Sequence, residues 1–141
     1  MVKKTKLIID YEFDFDLIGI ISPVKEYKLA WHLNNMLHIH LVKNRDIELE
    51  FINSNIFISN FDYSAGNSTF RLVKNKNTLS DGTMAFLLPE MREFDYLIML
   101  EGEGDTFDTD TILNALKSDG FIQYITLVDI DRLKSKDNLI F

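Results

Sequence analysis

Hydrophobic and polar residues alternate along the first part of the chain. Between residues 7 and 17 every second side chain is apolar, and acidic side chains fill most of the positions between them. A period of two residues is typical of a β-strand with one buried face. Residues 17–21 are then apolar except at Gly19, which predicts a central strand with a bulge or a close backbone approach at the glycine.

The apolar spacing becomes helical after Ser22. Ser22 is a good N-cap residue and Pro23 suits the first helical position, so the pattern predicts a helix from here to about His38. We expect its broad apolar stripe to belong to the core. The stripe consists of Val24, Tyr27, Ala30, Trp31, Leu33 and Leu37.

Further strands and a second helix follow. The strands are predicted at residues 47–51, 56–61, 69–73, 84–88, 94–100 and 121–128, the first two joined by a hairpin turn at residues 53–55. A helix capped by Asp105 or Thr106 should end at Gly120. Residues 60–68 and 74–82 are polar and rich in turn formers, and they are predicted to form loops.

The order β-α-β-β-β-β-β-α-β predicts the α+β class. The expected architecture is a two-layer sandwich with a mainly antiparallel sheet and two helices. A chain of 141 residues, of which 46% are hydrophobic and 26% charged, can bury one core without disulfides or metals. We therefore expect residues 1–141 to form a single domain.

Composition and charge narrow the function classes. The sequence has no apolar run long enough to span a bilayer, no signal-peptide pattern and no Cys, so a cytoplasmic location without membrane association is expected. The net charge of −7 disfavours nucleic-acid binding, because an acidic domain repels phosphates. It is compatible with a protein partner that has a basic surface, but solubility alone is the favoured explanation of the charge.

The run from Pro89 to Tyr96 carries the most specific combination of residues. If residues 94–100 form a strand, Asp95 lies on the same face as Leu97, where a carboxylate must be paired or hydrogen-bonded. In the favoured structural interpretation, Asp95 accepts backbone N–H bonds from the turn at residues 90–93. In the functional interpretation, Glu90, Asp95 and Tyr96 line a site together with Pro89.

Residues 88–96 resemble the signature of the IPExxxVDY family of small bacterial proteins. Leu88 stands where the signature has Ile and Phe94 where it has Val, while Pro89, Glu90, Asp95 and Tyr96 match. The resemblance extends to the opening residues 10–13 and 17–20, the helix at 26–30 and the ending at 133–141. It implies membership of that family, and it assigns no activity and no catalytic residues.

Four carboxylates form an acidic row at alternate positions near the start of the chain: Asp10, Glu12, Asp14 and Asp16. Such a row can recruit a basic partner or bind divalent cations weakly, but it is more typical of a solvated or edge-protecting strand face.

No metal, cofactor or nucleophile pattern is present in the sequence. His32, His38 and His40 lack a metal-binding spacing. Residues 101–110 do not fit a calcium loop, because counted from Glu101 no Gly falls at the sixth position and no Glu closes the loop. We therefore predict no metal and no cofactor.

The carboxyl terminus is unusually apolar. Leu139, Ile140 and Phe141 follow a polar, Lys-bearing segment. Chain ends are usually disordered unless they are tied down. We expect the tail of residues 129–141 to dock, either on its own domain, which is favoured, or on a partner.

These observations favour a non-enzymatic protein-interaction or adaptor module. It would use the acidic row or the Pro89–Tyr96 turn, and a homodimer formed through a sheet edge is compatible with it. The alternative is a regulatory domain that binds a small molecule between sheet and helix, near Tyr27, Trp31 and Asp95. The third hypothesis is an enzyme with Glu90 and Asp95 as acid and base.

Overall fold

The computed structural model describes residues 14–50, 55–79, 81–102 and 107–141. Their main sheet has six strands: β1 (Phe15–Ile21), β2 (Val42–Lys43), β5 (Asn60–Ala65), β6 (Ser68–Lys74), β9 (Tyr96–Gly102) and β10 (Tyr124–Val128). The strands lie in the order β10-β1-β9-β6-β5-β2, and every neighbouring pair is antiparallel. Two separate hairpins are formed by β3 (Ile47–Glu50) with β4 (Asn55–Ile58) and by β7 (Lys76–Thr78) with β8 (Met84–Phe86).

Two helices cover one face of this sheet, α1 (Glu26–Leu37) and α2 (Thr109–Lys117). The alternation of side chains along β1 sends Ile18 and Ile20 to this face. They join one buried cluster with residues from both helices, among them Leu29, Leu33 and Leu116. The predicted α+β class, with a mainly antiparallel sheet and two helices, is confirmed.

The opposite face of the sheet is also covered. A second buried cluster combines sheet residues such as Leu17 and Met99 with Ile58 from the β3–β4 hairpin. The carboxyl-terminal segment contributes Leu133 and Leu139 to the same cluster. Because both faces of β1 and β9 are buried, these strands are apolar almost throughout.

Several predicted boundaries are wrong. The supposed loop at residues 60–68 contains β5, and the supposed loop at 74–82 contains β7. Strand β2 was not predicted either, so the described residues hold ten strands where seven were predicted. Strand β7 is polar, and its buried Asn77 and the buried Asn75 just before it are satisfied by hydrogen bonds.

Both predicted helix starts were also placed too early. The first helix begins at Glu26, and the Ser22 hydroxyl donates to the Phe121 carbonyl at 2.6 Å. Ser22 therefore joins two segments of the chain and caps no helix. In α2 the N-cap is Asp108, whose carboxylate accepts the Thr111 N–H. The predicted capping residues 105 and 106 lie outside the described residues.

Gly19 is a point of close approach, but no bulge interrupts β1 there. Residues on both sides of Gly19 pair in unbroken register with β9 and β10. A Cβ at this position would lie 2.8 Å from the ring of Phe94. The glycine therefore makes room for an aromatic side chain, which itself stacks on Tyr124 with ring centroids 6.2 Å apart.

Among the residues that the structure describes, no helix has both the length and the apolar character needed to cross a membrane.

Candidate functional site

Pro89 begins a short turn that leads from β8 to β9. It stands at the start of the 3₁₀ helix Pro89–Met91, where a fixed φ is favourable and the missing N–H costs nothing. The Met91 N–H donates to the Leu88 carbonyl at 3.0 Å, and the Phe94 N–H to the Met91 carbonyl at 3.1 Å. The turn is thus closed by its own backbone.

Asp95 connects this turn to the end of β1. Its Oδ2 accepts the Ser22 N–H at 2.8 Å, and its Oδ1 lies 3.1 Å from the Lys76 Nζ. The prediction that Asp95 accepts a backbone N–H bond is therefore correct. The predicted donors at residues 90–93 are wrong, because the carboxylate reaches across to a segment 73 residues away.

Tyr96 fixes the start of α1. Its ring is buried, and its hydroxyl donates to the Val24 carbonyl at 2.5 Å. Burial raises the pKa of Tyr96 far above its usual range, and the nearby carboxylates of Glu26 and Asp95 raise it further. The phenol therefore stays protonated at neutral pH and acts as a hydrogen-bond donor.

Glu90 holds the carboxyl-terminal segment. Its Oε2 accepts the Lys134 N–H at 2.6 Å and the Ser135 N–H at 3.0 Å, and its Oε1 accepts the Ser135 hydroxyl. Partial burial acts to raise the pKa of Glu90, but the hydrogen bonds from Ser135 and Lys134 outweigh it and hold that pKa below its ordinary value. Glu90 and Asp95 thus have separate partners.

Asn75 is the residue of this region that the sequence analysis missed. Its side chain is fully buried and donates to the Met91 and Phe94 carbonyls at 2.9 Å each, while it accepts the Leu88 N–H at 2.8 Å. A signal was available, because amides alternate with lysines over residues 74–77, and this period of two predicts a strand.

The Pro89–Tyr96 turn is therefore a structural junction. Asp95 joins it to the end of β1 and to Lys76 of β7, and Tyr96 joins it to the start of α1. Glu90 joins it to the carboxyl-terminal segment, and the buried Asn75 bonds to its backbone. Because these polar groups are engaged within the chain, few remain to contact a ligand.

Tyr27 and Trp31 lie on the outer face of α1. They are 64% and 60% exposed, whereas Leu29, Ala30 and Leu33 are buried against the sheet. The prediction that both aromatic residues belong to the core stripe is therefore wrong. Tyr27 and Trp31 are one helical turn apart, so they share one face of α1, and the buried positions lie on another. They therefore do not enclose a ligand between sheet and helix with Asp95.

Two lysines lie close to these aromatic residues in the sequence, Lys25 at the N-cap of α1 and Lys28 one turn before Trp31. Lys25 and Lys28 are exposed, and no ion pair within the described part of the chain involves their side chains. Glu26 faces the Lys74 Nζ at 3.9 Å. We call Tyr27, Lys28 and Trp31 the aromatic face. It differs in sign from the chain as a whole, whose net charge is −7.

The acidic row is described only in part. Asp10 and Glu12 lie outside the described residues. Asp14 and Asp16 border a cleft of about 300 Å³ together with Glu101, and Asp16 accepts the Thr109 hydroxyl. No group of three or more His, Cys, Asp or Glu side chains suited to a metal ion occurs in the ranges that the structure describes.

A second cleft, of about 360 Å³, opens between the end of α1, the start of α2 and strands β5 and β6. Its lining includes the aromatic side chains of Tyr63, Phe70 and Phe107 and the polar side chain of His38. This size and mixture of apolar and polar groups suit a small molecule.

The apolar chain end lies on its own domain. Leu139 is buried in the second cluster, and the Asn138 side chain donates to the Leu87 carbonyl at 2.9 Å. Ile140 is half-buried. The Phe141 ring is 39% exposed and lies 5.5 Å from the Arg71 guanidinium.

Comparison with models of known protein families gives no match for this chain, and comparison with curated proteins gives none either. Membership of the IPExxxVDY family stays a prediction from residues 88–96.

Proposed function

We propose that this protein is a non-enzymatic cytoplasmic interaction module that binds a protein partner through the aromatic face. The observation that carries the proposal is the exposure of Tyr27 and Trp31 side by side on α1. Both residues contribute nothing to the buried clusters of their own domain.

Exposed Tyr and Trp side chains have a particular value at interfaces. Each offers a large rigid apolar area and loses little conformational entropy when it is covered, and both types are enriched among the residues that dominate binding energy. Trp31 also packs edge-on against His32, which stacks on Phe121 at 3.9 Å between ring centroids. These contacts support one side of the Trp31 ring and leave its outer surface for a partner.

The local charge indicates the chemistry of the partner. Lys28 lies three residues before Trp31 on α1, a spacing that places the two side chains next to each other, so a partner with an acidic rim around an apolar anchor is complementary. The net charge suggested a partner with a basic surface instead. The local charges matter more for a contact, because exposed charges more than about 8 Å away are screened at physiological salt.

Affinity capture with matched variants tests the proposal. We expect a partner that is retained by the wild type and lost by a Tyr27→Ala/Trp31→Ala variant. The control is Phe57→Ala, which removes an aromatic side chain of similar exposure from strand β4. A partner captured equally by all three proteins would contradict the proposal, as would the absence of any partner.

Trp31 then reports on direct binding, because it is the chain's only tryptophan. Covering its ring with a purified partner should shift its fluorescence to shorter wavelength and protect it from acrylamide quenching. A Trp31→Phe/Phe57→Trp variant moves the reporter to the control position, where the partner should leave the emission unchanged. Unchanged emission of Trp31 in a saturated complex would place the interface elsewhere.

The cleft beside Phe107 supports a second candidate function, the binding of a small regulatory molecule. A thermal-shift screen of metabolites against the wild type and a Tyr63→Ala variant tests it. We expect a ligand that raises the melting temperature of the wild type alone. A ligand that stabilises both proteins equally would contradict binding in this cleft.

A further inference from the structure

The two edges of the main sheet are built differently. The β2 edge is only two residues long, and its Lys43 lies 2.8 Å from the Asp46 carboxylate. The β10 edge is five residues long, from Tyr124 to Val128, and contains neither a charge nor a proline. Short, lysine-bearing edges resist pairing with other chains, whereas uncharged edges favour it.

The β10 edge also exposes apolar side chains. Tyr124 and Leu127 are 53% and 51% exposed, and they project on opposite faces of the sheet. In the part of the chain that the structure describes, β1 is the only strand paired with β10. One row of backbone donors and acceptors of β10 therefore has no strand partner within that part.

We propose that β10 pairs with β10 of a second copy of this chain. The two strands run antiparallel about a two-fold axis at Thr126, so that two six-stranded sheets become one continuous sheet. This register pairs all five residues of each strand. Tyr124 then lies opposite Val128 of the second copy, and Ile125 lies opposite its Leu127.

Side-chain chemistry favours this occupant and this register. Apolar and β-branched residues face one another over the whole strand, which is a stabilising cross-strand combination. Just beyond β10, Gln123 of one copy faces Asp129 of the other, so an amide can donate to a carboxylate and no two acids meet directly. A chain with a net charge of −7 needs such an uncharged contact to approach its own copy.

The exposed aromatic side chain is already held in place. Tyr124 stacks on Phe94, and the Phe94 ring fills the space above Gly19. A side chain ordered in the free protein loses less entropy on association. The β10 edge shares no residue with the aromatic face, so either this inference or the proposed function can be wrong without affecting the other.

Sedimentation velocity over protein concentrations from about 1 μM to about 1 mM tests the inference, since a contact of this size gives a weak dimer. We expect the wild type to pass from monomer to dimer. Added salt should strengthen the dimer, because it screens repulsion between two acidic chains. A wild type that remains monomeric at every concentration would overturn the inference.

The axis at Thr126 allows a sharper test, because this residue faces itself. Thr126→Lys and Thr126→Glu should each abolish the dimer through like-charge repulsion, and an equimolar mixture of the two should restore it. Circular dichroism shows whether each variant is folded.

Leu127→Lys, at an exposed position, provides a second weakening variant, and Trp31→Ala should leave the dimer intact. Folded variants that dimerise like the wild type, or a mixture that fails to dimerise, would overturn the proposed axis.

Discussion

The Pro89–Tyr96 turn and the aromatic face of α1 differ in how the chain uses its conspicuous residues. In the turn, Glu90, Asp95 and Tyr96 each bond to a distant segment of the same chain. On α1, Tyr27 and Trp31 are exposed and belong to neither buried cluster. The conspicuous residues of the turn therefore maintain the fold, whereas those of the aromatic face lie on the surface, where we propose that a partner binds. Substitutions in the turn should therefore lower stability, and substitutions on the aromatic face should not.

Removal of Leu139, Ile140 and Phe141 should have the largest effect. Leu139 is buried in the second cluster, so a chain ending at Asn138 should lose about 3–5 kcal/mol of unfolding free energy. Urea denaturation measures the loss. Phe141→Ala is the control, since its partly exposed ring should matter less. Unchanged stability of the truncated chain would contradict docking of the tail on its own domain.

Asn75→Ala should cost about 2–4 kcal/mol. The substitution leaves one buried N–H and two carbonyls of the turn without their side-chain partner. Asn35→Ala is matched to it, because Asn35 makes a single exposed bond to the Trp31 carbonyl. If both variants lost equal stability, Asn75 would not be the centre of the junction.

Glu90→Gln should cost about 1 kcal/mol at neutral pH, since it weakens charge-assisted bonds to Lys134 and Ser135 at an exposed site. The pKa of Glu90 is lowered by folding, so its stabilising contribution is present above its ordinary value near 4.5 and is lost as pH falls through the lower folded pKa. Urea midpoints between pH 6 and about pH 3 should fall more for the wild type than for the variant. Parallel pH profiles would show that Glu90 does not hold the tail.

Tyr27→Ala and Trp31→Ala should change stability least, by no more than about 0.5 kcal/mol together, because both positions are exposed. Thermal unfolding monitored by circular dichroism measures the effect without relying on tryptophan. A loss comparable with that of Asn75→Ala would show that the aromatic face stabilises the fold as much as the turn does, and it would contradict the difference between the two regions.

Local periodicity predicted much of the framework correctly. Alternating or continuous apolar residues predicted the strand through Gly19 and the strand after Asp95. They also predicted the pairing of residues 47–50 with 55–58. Strand β7 was missed because its alternation is between amides and lysines, which is a weak signal in a polar segment. The start of α1 was misplaced because Ser22 has the chemistry of a cap and uses it on Phe121 instead.

The candidate site was less predictable than the fold. The apolar residues of α1 occupy more than one side of the helix, so the pattern does not specify which of them face the sheet. Tyr27 and Trp31 were consequently assigned to the core. Asp95 was correctly expected to accept hydrogen bonds, because a carboxylate beside an apolar strand requires donors.

By itself, the sequence determined the α+β class, the apolar strands and the need of Asp95 for polar partners, since these depend on neighbouring residues and on the period of each element. Tertiary structure alone decided that Asp95 meets Ser22 and Glu90 meets Lys134, across 73 and 44 residues. It also decided that the aromatic face and the β10 edge remain exposed. A local pattern encodes which side chains share a face, but which faces meet depends on how all the elements pack together.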